Sequence, residues 1–402
     1  MPKKEKSKNR IPKILSKKVD RREFIKKSVL GLGSLAVALY GFNSLLGSKS
    51  LNSLLTNTSK ESDKMKLDSL KEAMFYEKYD FGVKCLLCPR ECFLQEGSRG
   101  ICRVRENHNN TLYSLVYGKP VALHIDPIEK KPLFHFYPES AAFSIATAGC
   151  NLRCLNCQNW EISQSNPEDL QSYNLSSQQV VEEAAKNNCT SIAYTYSEPI
   201  VFYEYTYDIA KLAREQGIKN VLISAGYINE KPLRTLTKFL DAANIDLKSF
   251  SNSTYQKLNG GTLDPVLRTL KVLNEEGVWL EITNLIIPNW TDDLDMIKKM
   301  AKWLYDNGFE NTPLHFSRFH PEYKLQNVPP TPVETLTRAR KIALEQGLKF
   351  VYIGNVPGHD GEHTYCPNCN KLLIERKGFL IIQNHIKNGK CEYCNTEIPG
   401  RW

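Results

Sequence analysis

From Phe143 onward, short apolar runs alternate with amphipathic segments, and few folds accept that rhythm. Strands are expected at 143–147, 191–196, 220–224, 243–247, 279–287, 314–319 and 350–353. Helices are expected between them at 177–187, 201–216, 232–240, 264–276, 294–307 and 332–346. Gly217, Gly277, Gly308 and Gly347 follow four of these helices, where a left-handed residue ends a helix without steric cost. Such alternation builds a parallel sheet with right-handed crossovers. Six or seven units are too few to close an eight-stranded barrel. The expected fold class is therefore α/β, an open partial (β/α)6-type TIM barrel, with its chemistry on the loops that follow the strands.

Cysteine is the second constraint. Of twelve, eleven fall into three clusters and only Cys189 stands alone, as a small core residue. Clusters of this kind read as metal ligation, not as a disulfide framework. Cys150-x3-Cys154-x2-Cys157 lies on the loop after the first strand. Three thiolates there can hold three irons of a [4Fe–4S] cube, leaving the fourth iron open to a ligand. Cys85, Cys88, Cys92 and Cys102 supply four thiolates within eighteen residues, for zinc or a second iron–sulfur cluster. Cys366-x2-Cys369-x21-Cys391-x2-Cys394 reads as a zinc ribbon, with a rubredoxin-like iron site as its rival. The barrel is thus expected to carry two small Cys-rich metal modules, at 71–140 and 359–402, around a core at 141–358. A β-hairpin is expected at 113–124 around Gly118-Lys119-Pro120.

The string from Ala148 to Gln164, the segment Tyr194-Thr195-Tyr196-Ser197-Glu198-Pro199, Asp246-Leu247-Lys248 and the two flanking cysteine modules together carry a resemblance. Over roughly residues 72–402 the chain resembles the radical S-adenosylmethionine (SAM) enzymes of the AmmeMemoRadiSam system, which are similar to pyruvate formate-lyase activating enzymes. The resemblance implies a [4Fe–4S] cluster on Cys150, Cys154 and Cys157 whose open iron chelates SAM. One electron, from a donor of flavodoxin or ferredoxin type, would cleave SAM to methionine and a 5′-deoxyadenosyl radical that removes hydrogen from a substrate. Activation of a glycyl-radical enzyme, a polypeptide partner, is the first candidate from the resemblance alone, and modification of a small molecule or of RNA is the second.

The same resemblance assigns further residues. Glu198 matches the carboxylate that binds the SAM amino group, although Tyr196-Ser197 stand where relatives carry glycines. Ser224-Ala225-Gly226 is similar to the Thr-Asn-Gly of activating enzymes. Asp246 and Lys248 lie two apart on a strand, so both point into the barrel mouth, near the expected SAM carboxylate. Asn156 replaces the aromatic residue that often precedes the last cysteine, so Trp160 is expected to meet the adenine, and Asn355 to close on the adenosine. Glu281, Thr283 and Asn284 on one strand and His315, Ser317 and Arg318 on the next offer two registers each, one of which faces the barrel. The rival from another class is a non-catalytic multi-cluster electron-transfer protein, against which the open iron and the Glu198, Asp246 and Lys248 constellation argue.

The net charge of +9 is local, because residues 1–27 hold twelve Lys/Arg against three Asp/Glu. The remainder is neutral and suggests no nucleic-acid partner. Residues 1–48 combine that basic block, Arg21-Arg22 and an apolar run at 29–46, which resembles a twin-arginine export signal or an uncleaved membrane anchor. A polar linker is expected at 49–70. Export conflicts with the cytoplasmic supply of SAM and reductant, so localisation is left open.

Overall fold

The structure, a computed structural model, describes residues 70–402. The twin-arginine segment, the 29–46 run and the linker through residue 69 lie outside the described residues. Among the described residues no helix is long and apolar enough to cross a membrane.

The first cysteine module is built from short antiparallel strands. β1 (Lys71–Glu72), β2 (Tyr76–Tyr79), β3 (Gly82–Cys85), β4 (Phe93–Leu94), β5 (Arg105–His108) and β6 (Thr111–Ser114) form two three-stranded sheets, ordered β2-β3-β4 and β1-β6-β5. Besides the β2–β3 hairpin, the hairpin here is β5–β6, not the one expected at 113–124. Its two-residue turn, Asn109-Asn110, sits at φ 51° and 56°, the positive values that a mirror-image hairpin turn needs and that asparagine tolerates. After Gly118, at φ 71°, the chain leaves this sheet, and β7 (Ala122–Pro127) joins the barrel instead.

The central sheet follows the expected alternation. β8 (Ala141–Ala146), β9 (Ser191–Tyr194), β10 (Lys219–Ser224), β11 (Ala242–Asp246), β12 (Trp279–Ile286), β13 (Leu314–Arg318) and β14 (Val351–Gly354) run parallel in sequence order. The antiparallel β7 pairs with β8, and β7 and β14 do not pair, so the sheet stays open. The edge strand β7 was not anticipated; Pro127 at its end, lacking an N–H, is acceptable only at an edge. A short α1 (Trp160–Ser163) lies in the loop after β8. The six crossovers carry α2 (Ser177–Lys186), α3 (Tyr203–Glu215), α4 (Glu230–Thr237), α5 (Asp264–Glu275), α6 (Leu294–Asp306) and α7 (Val333–Glu345). Their starts are specified locally: Ser176 and Gln179 cap α2 reciprocally, and Asp293 accepts from the amides of Asp295 and Met296 at the start of α6.

The period-two alternation of the strands separates two cores. Phe143, Ile192, Leu222 and Ala243 pack with helix residues such as Val181, Ala210 and Leu236 in the main core. Their neighbours Ala142, Ala193, Val221 and Ala242 face the other way and pack on Ile128, Leu133 and Phe136, which plug the barrel interior. Glu281 and His315 belong to this interior register. The Glu281 carboxylate accepts from the amides of Phe134 (2.9 Å) and His135 (2.7 Å) and meets His315 Nε2 at 2.6 Å. His135 continues the network to Tyr352 Oη (2.6 Å) and to the Pro399 carbonyl (2.7 Å). The side chains of Glu281, His315, His135 and Tyr352 are all buried and partnered, as a closed interior network requires. They therefore tie the plug to the C-terminal module and away from the barrel mouth.

That module comprises β15 (Thr364–Tyr365), β16 (Leu372–Lys377), β17 (Leu380–Asn384), β18 (Ile386–Lys387) and β19 (Lys390–Cys391). Arg376 fastens it to the barrel: its guanidinium donates to Phe134 O (3.0 Å), Glu362 O (3.1 Å) and Thr364 Oγ1 (2.7 Å), and stacks over the Phe134 ring.

Candidate active site

β8 delivers the Cys150 loop at the C-terminal edge of the sheet. Gly149 makes this delivery possible: its φ is 96°, and a Cβ there would lie 2.6 Å from both Cys102 O and Val104 Cγ1. Beyond it the loop lies along a single π-helical turn, Tyr255–Asn259, with Arg153 N bonded to Asn259 O (2.8 Å) and Leu155 N to Leu258 O (2.9 Å). Such turns widen a helix and are frequent at functional sites. The turn also aims a side chain, since Asn259 Nδ2 donates to Cys154 Sγ at 3.2 Å. Cys150 Sγ accepts from Leu152 N at 3.3 Å, and Cys157 Sγ lies 3.1 Å from Ser163 Oγ.

All three cysteines are free thiols. Burial first, and then the Glu198 carboxylate, push the Cys150 thiol well above its ordinary range; burial likewise raises Cys154, against a lowering by Lys248. Thiolates here require positive charge from a metal, whose binding releases the protons. Three thiols, Cys154 buried and Cys150 and Cys157 half-buried, with hydrogen-bond partners at sulfur, on one loop and without a fourth, fit a site-differentiated [4Fe–4S] cluster.

The expected SAM-binding residues gather above neighbouring strand ends. After β9, Glu198 is buried and accepts from Ser224 Oγ (2.6 Å), Ala225 N (2.9 Å) and Ile200 N (3.2 Å). Burial raises its pKa, and these donors together with Lys248 oppose that rise. After β11, Lys248 Nζ pairs with Asp246 Oδ2 at 2.8 Å. Burial works against the ammonium, but the Asp246 and Cys154 charges outweigh it and hold Lys248 well above its ordinary range. Ser197 Oγ donates to Thr147 O at 2.7 Å and Lys248 N donates to Tyr255 Oη at 3.1 Å, on the π-helical turn, which places Glu198 and Lys248 beside the cysteine loop.

The remaining expected residues sit around this centre. Tyr196 keeps a glycine-like backbone, at φ 64°, in place of the glycines of related loops; Asn159 Nδ2 bonds its carbonyl at 2.8 Å, and its hydroxyl donates to Asp126. Trp160 stacks on Tyr323, with ring centroids 5.3 Å apart and planes at 13°. Asn355 Nδ2 donates to Ser317 Oγ at 2.9 Å at the opposite edge of the sheet. Of the ambiguous strand residues, Thr283 joins the interior register through Asn244 (2.9 Å), whereas Asn284 bonds Leu247 O (2.7 Å) and Arg318 bonds Thr331 O (2.8 Å).

Sequence reasoning missed Asn259, Ser163 and the buried cluster of Asp126, Lys131 and Ser144, in which Lys131 Nζ meets Asp126 Oδ2 at 2.6 Å. Only Gly260-Gly261, which mark a turn, signalled the first of these.

The outer cysteine modules differ. Cys366 and Cys394 sulfurs are 3.5 Å apart, Cys369 and Cys391 sulfurs 3.7 Å, and all four lie within 4.8 Å of one another. That set can hold one metal ion. Cys85, Cys88, Cys92 and Cys102 line a cavity beneath the Cys150 loop.

Comparison with known proteins agrees with the geometry. Residues 144–304 match the model of the Radical SAM superfamily. A protein of Methanocaldococcus jannaschii, described as uncharacterized protein MJ0808, is 52% identical over 332 residues, 82% of this chain and 99% of that protein. The pyruvate formate-lyase 1-activating enzyme of Escherichia coli K12 is 27% identical over 224 residues, covering 51% of this chain and 89% of that enzyme. A crystal structure of a radical SAM methyltransferase from Sphaerobacter thermophilus covers 56% of this chain and 71% of that chain, at 14% identity and a TM-score of 0.44. With its three-cysteine loop at the mouth of an open parallel barrel, the chain belongs to the radical SAM superfamily, at a distance from the pyruvate formate-lyase activating enzymes.

Proposed function

We propose that the protein is a reductive SAM-cleaving oxidoreductase whose substrate is a polypeptide, with the glycyl residue of a glycyl-radical enzyme as the first candidate. One observation carries the SAM part of this reading: Cys150 and Cys154 share one mouth with the Glu198–Ser224 pair and the Asp246–Lys248 pair. When bound, a [4Fe–4S] cluster on Cys150, Cys154 and Cys157 supplies one electron to SAM and so releases a 5′-deoxyadenosyl radical for hydrogen abstraction.

The chain's own residues bind and orient. Glu198 offers a buried carboxylate to the SAM ammonium, its geometry fixed by Ser224 and the Ala225 amide. Lys248, held charged by Asp246, presents a cation to the SAM carboxylate. Trp160 and Asn355 flank the adenosine end. The polypeptide substrate is supported by the relationship to activating enzymes, whose E. coli member is named for pyruvate formate-lyase 1. A one-electron donor of flavodoxin or ferredoxin type is the second partner. For the C-terminal four cysteines zinc is the proposed ion: Zn–S bonds of about 2.3 Å make a tetrahedron with edges of about 3.8 Å, and the sulfur pairs stand at 3.5 and 3.7 Å. For the N-terminal segment outside the described residues, the export signal or anchor is retained as the proposal.

The test is anaerobic. The full chain is reconstituted, reduced and given SAM, and 5′-deoxyadenosine is measured by mass spectrometry beside Cys154→Ala. Product that depends on Cys154 is expected. A complete cluster that releases none under strong reductant, with and without candidate polypeptides, overturns the reading in favour of electron transfer.

A further inference from the structure

We propose that Cys85, Cys88, Cys92 and Cys102 hold a second [4Fe–4S] cluster, with every iron taken by a protein thiolate. The sequence spacing admits zinc equally, and the tertiary arrangement separates the two. A single zinc ion needs four sulfurs converging on one point, as the C-terminal set does. Among the described residues, that C-terminal set is the one group of three or more His, Cys, Asp or Glu ligand atoms lying within 4.8 Å of one another. The four N-terminal cysteines do not converge in this way and instead line a cavity. A cube, which carries its own irons and sulfides between the thiolates, requires such an arrangement.

The cavity wall is built for such a guest. Gly100 forms part of it, close to two of the sulfurs, since a Cβ there would be in ordinary van der Waals contact with Cys102 Sγ (3.4 Å) and Cys92 Sγ (3.9 Å). Arg105 forms another part. One of its terminal nitrogens is fixed by Glu204 Oε1 (2.9 Å) and Met74 O (2.7 Å). Its Nε is buried with no partner among the described residues. A buried, unpaired N–H is costly unless something accepts it, and a cluster sulfur in this cavity is such an acceptor.

The site also abuts the SAM loop. Asn151, between Cys150 and Cys154 in sequence, lines the same cavity, and Arg90 Nε, from the module's own loop, donates to Asn151 O at 3.0 Å. The backbone at Gly149 touches Cys102 O closely enough to exclude a side chain. A fully ligated cluster has no open iron for SAM, so its chemistry is one-electron transfer. A flavodoxin- or ferredoxin-class donor gives up one electron, this cluster is reduced by one and then returns to its oxidised state as the SAM-binding cluster is reduced, and no bond or proton moves. The assignment itself is independent of the substrate proposed above.

The experiment counts atoms in the full chain purified anaerobically. The expected wild-type content is about eight irons and eight sulfides, with one zinc. The Cys150→Ala/Cys154→Ala/Cys157→Ala variant is expected to keep about four irons and, when reduced, an EPR signal that does not change on adding SAM. Wild type with about four irons and two zincs, about four irons and one zinc, or about six irons overturns the proposal. Because the wild-type count decides by itself, a variant that fails to fold does not shelter it.

Discussion

Asn259 directs its side-chain amide at Cys154 Sγ, 3.2 Å away, from a π-helical turn that also holds the backbone of the cysteine loop. Hydrogen bonds to cluster sulfurs raise a reduction potential because they favour the more negative, reduced state. Asn259→Ala is expected to lower the midpoint potential of the SAM-binding cluster. A bond worth about 1 kcal/mol corresponds to roughly 40 mV for one electron. An EPR-monitored redox titration that finds the midpoint unmoved removes this role.

Glu198 accepts three hydrogen bonds while standing beside Cys150. Glu198→Gln keeps the shape but loses the charge offered to an ammonium. SAM affinity is expected to fall by about tenfold to a hundredfold, the scale of one charge-assisted hydrogen bond. Iron content is expected to stay at the wild-type value. Equilibrium binding of SAM to the two proteins checks it, and equal affinities would place the SAM amino group elsewhere.

Burial, opposed chiefly by the Glu281 carboxylate, pushes the His135 imidazole down to about 4. In the unfolded chain histidine titrates near about 6.5. Between these values the unfolded chain binds the proton and the folded one does not. Stability from a neutral His135 is therefore complete above about pH 6.5 and is lost as pH falls toward 4, by roughly 3 kcal/mol in all. Glu281, His315 and Arg376 also face this ring, and the comparison with His135→Gln cancels them. The melting-temperature advantage of wild type over that variant should be larger at pH 7.5 than at pH 5. An advantage independent of pH contradicts the buried neutral imidazole.

Cys391→Ser removes one sulfur of the converging C-terminal set. The expected result is loss of one zinc per chain with unchanged iron, and new proteolytic cleavage within residues 364–402, because the small lobe depends on its ion more than on its own core. Loss of iron in place of zinc would assign a rubredoxin-like site.

Sequence alone determined the order of the barrel's parallel strands and crossover helices between residues 141 and 354, because buried strands and one-sided helices must repeat their apolar residues at periods of two and 3.6. It also determined the cysteine loop and its two flanking modules, since ligand spacing along a short loop is itself the geometry of the site. The Asp246–Lys248 pair was legible as two charged residues two apart at a strand end, although β11 stops at Asp246 and Lys248 lies on the loop that follows. Contacts between distant segments were not. The hairpin moved to Asn109-Asn110 because two asparagines tolerate positive φ. The inward register of Glu281 and His315 was fixed only by the Phe134–His135 plug, nearly 150 residues earlier in the chain. The same is true of Asn259 against Cys154, and of the N-terminal cysteines lining a cavity while the C-terminal four meet at one point. Spacing states which atoms can reach a metal, and only packing against other segments decides how far apart they are held.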